Sequence, residues 1–73
     1  MPQLPILSGE KVVNVFLSFG WELVRQKGSH MILIKEGSIA TLSVPKHKEV
    51  ARGTLRSLIA RANLTVNQFL SAI

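Results

Sequence analysis

The 73-residue sequence contains no cysteine, so disulfides and thiolate metal sites are excluded. Small domains often rely on such staples. The two histidines, His30 and His47, stand far apart with no ligand cluster around them, so a structural metal is not expected either. A chain without cysteine fits a reducing compartment, and the expected location is cytoplasmic. Aspartate is also missing, and the four glutamates are scattered rather than paired. Magnesium sites rely on carboxylate oxygens, so this scarcity argues against a metal-dependent nuclease. Long apolar runs are absent as well. The longest, Met31 to Ile34, falls far short of the roughly 18 residues of a membrane-spanning helix, and no membrane association is expected. Residues 1–7 carry no basic stretch and are broken by Pro2 and Pro5, unlike a signal peptide. Nucleophile-elbow, phosphate-loop and zinc patterns do not occur, and no cofactor is expected.

What is present is apolar bulk and positive charge. The length allows one domain, residues 1–73, which buries roughly 60% of the surface of its unfolded chain. With 47% hydrophobic residues, apolar packing alone must hold it together. Nine lysines and arginines against four glutamates give a net charge of +5. So strong a balance on so short a chain attracts a polyanion such as nucleic acid, or an acidic protein.

Residues 1–7 read as an extended lead-in, Pro5 biasing Leu4 away from helix. Ser8 is a good N-cap and Glu10 suits the first turn of a helix over about 8–19, where Val12, Val15, Phe16 and Phe19 recur at helical spacing. Gly20 supplies a left-handed end. Trp21 to Gln26 reads as a strand of imperfect alternation, Lys27-Gly28 as a turn, and Ser29 to Lys35 as a second strand. Glu36-Gly37-Ser38 is a hairpin connection leading to a third strand, Ile39 to Val44, stopped by Pro45. Such short connections imply an antiparallel meander. After a basic loop, Pro45 to Gly53, Thr54 is placed to cap a helix whose Leu55, Leu58, Ile59 and Ala62 share one face. Asn63 tolerates a left-handed end, and Thr65-Val66-Asn67-Gln68 forms a capping box opening a short last helix that contributes Phe69, Leu70 and Ile73. The expected fold class is α+β: a three-stranded antiparallel sheet with helices on one face.

The remaining chemistry is histidine and positive charge, which suits RNA cleavage. RNA carries its own nucleophile in the 2′-hydroxyl. The reaction needs a base for that proton, donors for the phosphorane, and an acid for the leaving 5′-oxygen. Histidine, with an unperturbed pKa near 6.5, serves either proton-transfer role at neutral pH. His30 follows Gly28-Ser29 at a strand start, where the sheet fixes its backbone. Gly28 lets a phosphate approach the main chain, and Ser29 can donate a hydrogen bond. A lone histidine at a strand start is more often solvated or structural, and His47, in Pro-Lys-His-Lys, either contacts phosphate or bonds its own loop. Lys27, Lys35, Lys46, Lys48, Arg52 and Arg56 are the candidate phosphate contacts, each of which taken singly is an ordinary solvated charge.

Gly28-Ser29-His30 before a strand, Val44-Pro45-Lys46-His47, Gly53-Thr54-Leu55-Arg56-Ser57-Leu58-Ile59 and Ala62-Asn63-Leu64-Thr65 occur in an order that resembles the HicA toxin family. Ser8-Gly9-Glu10 and Gly20-Trp21-Glu22-Leu23-Val24-Arg25-Gln26-Lys27 are similar to it too, so the resemblance covers nearly the whole chain. It implies a double-stranded-RNA-binding-like αβββα fold with a short extra C-terminal helix. The implied activity is that of an mRNA interferase, with mRNA as substrate, a HicB-like antitoxin as partner, and catalysis by the histidine of Gly-Ser-His, here His30. Asn63 stands where the family usually has glycine, and Met31 where a polar or aromatic residue is common. The competing readings are a non-catalytic RNA-binding module of the same fold and a pure interaction protein. The segment Ala51 to Arg56 lacks the lysine cluster that opens the second helix of double-stranded-RNA binders, which favours the enzyme.

Overall fold

In the computed structural model, residues 3–73 are described; Met1 and Pro2, the start of the expected lead-in, lie outside them. Ser8 caps the first helix as its position predicts, its Oγ accepting from the Lys11 amide at 3.2 Å. That helix, α1, runs Gly9–Ser18 and turns Val12, Val13, Val15 and Phe16 inward. The chain then forms β1 (Glu22–Lys27), β2 (His30–Ile34) and β3 (Leu42–Pro45), a three-stranded antiparallel meander in the order β1-β2-β3. Helix α2 (Arg52–Arg61) buries Leu55, Leu58 and Ile59, and α3 (Val66–Ser71) buries Phe69.

The sheet shows why the helices occupy one face. Met31 and Leu33 of β2 and Leu42 and Val44 of β3 are buried, while His30, Ile34 and Ser43, set between them in the alternation, are exposed. The protein is therefore an αβββα α+β fold with an extra C-terminal helix, its sheet open on the other face. The imperfect alternation of β1 has a physical cause: a β-bulge between Leu23 and Arg25 inserts Val24. All six residues of this edge strand are exposed.

Several boundaries differ from those expected from sequence. The β1–β2 turn is Gly28-Ser29 rather than Lys27-Gly28, with Gly28 at φ 59°, the type II′ pattern in which glycine leads. The third strand starts at Leu42, because Ile39 projects fully into solvent on the connecting loop, and Pro45 is its last residue rather than its stop. Thr54 is no cap: α2 begins at Arg52, three residues earlier than a cap at Thr54 would start it, behind Ala51, which makes no side-chain capping bond. Ile73 is mostly exposed and adds little to the core. Asn63 at φ 62° and the Thr65–Gln68 capping box are as the sequence indicates.

The lead-in does more than extended residues imply. Leu4 is 1% exposed, Leu7 forms an antiparallel bridge with Val50, and Arg52 Nε donates to the Leu4 carbonyl at 2.6 Å. The N-terminal segment is thus threaded into the core from the far end of the sequence.

Candidate active site

Two segments meet where β2 begins and β3 ends. The Gly28-Ser29 turn delivers His30 to the first position of the central strand, opposite Lys27 on β1 and Pro45 on β3. The Lys46 amide donates to the Ser29 carbonyl at 2.6 Å, so the basic loop starts against the same turn. His30 is exposed on the open face, with its Nδ1 3.3 Å from the hydroxyl of Ser43. A side chain added at Gly28 would meet nothing within 4 Å, so the backbone of the turn is open to a large anion.

The basic loop is anchored from the helical side. A Cβ on Gly9 would lie 2.1 Å from the Pro45 carbonyl oxygen, a separation no side chain tolerates, and the Gly9 amide donates to the His47 carbonyl at 2.9 Å. Glycine at this position lets the start of α1 sit directly against the loop. A surface cleft of about 310 Å³ results, lined by Ser8, Glu10, Lys46, His47 and Lys48.

Of the residues singled out from sequence, Lys27, Gly28, Ser29, His30 and Lys46 come together, with His47 and Lys48 following in the same loop. Lys35 does not join them. It follows the other end of β2, about 16 Å along the strand at ~3.3 Å per residue, where its side chain lies over Gly20 and lines a cleft with Trp21. Arg52 and Arg56 belong to α2, in the layer behind the sheet, and Arg52 holds the Leu4 carbonyl. Two residues on the open face were missed. Arg25 pairs with Ile32, and Ser43 reaches His30. Among the described residues no three histidine, aspartate or glutamate side chains are grouped as metal ligands, and no helix is long and apolar enough to cross a membrane.

Fold and site together define a small basic α+β domain presenting one histidine, flanked by lysines, on an uncovered sheet face. A family model described as the HicA toxin of bacterial toxin-antitoxin matches residues 9–64. The chain belongs to this family, and its role is that of the toxin in a toxin–antitoxin pair with a cognate antitoxin. No curated protein matches it.

Proposed function

We propose that the protein is a metal-independent endoribonuclease, an mRNA interferase in which His30 assists attack by the 2′-hydroxyl of its RNA substrate. The observation that carries this reading is the placement of His30: exposed, on a rigid central strand, opposite Lys27 and beside a turn open to phosphate. In the reaction a base removes the 2′-hydroxyl proton and the 2′-oxygen bonds to phosphorus. The bond from phosphorus to the 5′-oxygen then breaks, and an acid returns a proton to that oxygen. His30 Nε2 is the nitrogen not engaged by Ser43, and it carries one of these proton transfers. Lys27 and Lys46, with the Ser29 hydroxyl, supply positive charge and a donor for the crowded phosphorane.

Cleavage is therefore expected to continue in EDTA, to leave 2′,3′-cyclic phosphate ends, and to spare DNA of the same sequence, which lacks the nucleophile. The check is to incubate the purified protein with labelled RNA and with the matching DNA, and to identify the product ends. Activity that needs a divalent ion, or equal cutting of DNA, would refute the mechanism.

All four aromatic residues pack in or against the core, Phe16, Trp21 and Phe69 being buried and Phe19 half-buried. The open face thus has no platform for stacking bases. Binding has to rest on cations, and the logarithm of RNA affinity is expected to fall by about 0.7 per phosphate neutralised for each tenfold rise in salt on single strands. A titration that is flat in salt would contradict this.

The partner proposed is a HicB-like antitoxin that covers His30. A basic face attracts an acidic protein as it attracts RNA, so the two compete, and exposed Leu23, Val24 and Ile34, toward the opposite end of the sheet from His30, add apolar surface. Co-expression with the antitoxin is expected to yield a complex that cuts RNA far more slowly than the free protein. A complex cutting at the full rate would rule out occlusion.

A further inference from the structure

The contact between Ser43 and His30 has a chemical consequence beyond placing the ring. Ile32 pairs with Ser43 and His30 with Pro45, so Ser43 is the diagonal neighbour of His30 on the open face. Pro45, directly opposite, is buried and carries no N–H. The backbone of Ser43 is held on both sides, since Leu42 and Val44 are fully buried on the inner face. Its Oγ is 3.3 Å from Nδ1, which leaves Nε2 as the free ring nitrogen.

We propose that Ser43 is the positioning residue of the site, holding the imidazole so that Nε2 alone exchanges the proton; this rests on the reading of His30 as catalytic. For Nε2 to act as a base, the neutral ring must carry its single proton on Nδ1, where it is donated to Ser43 Oγ. Once Nε2 has taken the 2′-hydroxyl proton, the ring is an imidazolium, and Nδ1–H still donates to the same oxygen. The serine bond is thus identical before and after transfer, and only Nε2 gains or loses. A hydroxyl suits the task because it orients the ring without a charge. A carboxylate there would favour the imidazolium and oppose its return to the basic form.

The test compares the wild-type protein with Ser43→Ala and Ser43→Thr, by ¹⁵N NMR of the histidine ring nitrogens and by steady-state RNA cleavage. Ser43 is exposed, so both variants are expected to fold. Ser43→Ala is expected to lower kcat about three- to tenfold, the loss of one net hydrogen bond, with KM unchanged. In the same variant the neutral His30 ring is expected to move its proton from Nδ1 toward Nε2, while the His47 signals stay in place. Ser43→Thr, which keeps the hydroxyl, is expected to restore both. The ring nitrogens are read without substrate, which separates the two readings. Wild-type protein that shows the Nδ1-protonated ring yet cuts no RNA defeats the ribonuclease reading and leaves the ring contact standing. An enzyme that cuts RNA but shows the same nitrogen shifts and kcat in Ser43→Ala overturns the positioning role.

Discussion

Replacing His30 with alanine is expected to lower the rate of RNA cleavage by about 10²–10⁴-fold, the usual contribution of a positioned proton-transfer group. The fold should survive. His30 is exposed and its side chain makes one hydrogen bond, to Ser43, and surface substitutions of this kind usually change stability by no more than about 0.5 kcal/mol. Affinity for RNA should survive as well, because it comes from dispersed cations such as Arg25, Lys27, Lys46 and Lys48 rather than from the imidazole. The measurement is cleavage of a labelled RNA alongside binding and a thermal melt on the same preparation. A variant that binds, folds and still cuts at the wild-type rate would remove His30 from the mechanism and move attention to His47, whose loop adjoins the same turn.

The largest effect on stability is expected at Phe69. This ring is completely buried and packs against Phe16 with centroids 5.3 Å apart, and Phe16 in turn meets Trp21 edge-on at 6.5 Å. Phe69 lies beyond residues 9–64, the part that matches the family. The core therefore extends past the matched region, as it does at the other end with Leu4 and Leu7. Truncating a buried phenylalanine to alanine costs about 3–5 kcal/mol. A domain of this size has little more than that in total. Phe69→Ala is accordingly expected to lower the melting temperature by well over 10 °C, at about 4–8 °C per kcal/mol for a small domain. Circular dichroism on heating checks it. A shift of only a few degrees would mean that α3 is a dispensable appendage rather than part of the core.

Helices were the easiest elements to read, because their signals are local. Ser8, Asn63 and the Thr65–Gln68 box each act within a turn or two of their own position. Thr54 misled because α2 starts behind Ala51, without a side-chain cap, and nothing local marks such a start. The strands were legible as strands, but not their register. A connection confined to Glu36-Gly37-Ser38 would pair Lys35 with Ile39, and hence Met31 with Ser43, turning the serine toward the core. The observed pairing of Met31 with Val44 differs by one residue and turns it outward to His30. Ser43 was missed for that reason. Arg25 was obscured by the bulge at Val24, which breaks the alternation that would have assigned its face. His30 was singled out on residue type and chain order alone, while the turn before it lies one residue later than its sequence signal indicated. The distance between Lys35 and His30 depends on where a strand runs, and sequence adjacency gave no warning of it.

The closure of the basic loop by the chain's first residues also bears on synthesis. The Gly9–His47 bond, the Leu7–Val50 bridge and the Arg52–Leu4 bond, the last spanning 48 positions, all join the beginning of the chain to its second half. A nascent polypeptide that stops short of Ser43 already displays His30 and Lys27, but it has neither the hydroxyl beside the ring nor the loop that adjoins the turn. Contacts this distant in sequence form only after most of the chain is free to close on itself. The loop that adjoins the turn therefore takes up its place only after the segment carrying His47, Val50 and Arg52 has been made and has folded back on residues 4–9.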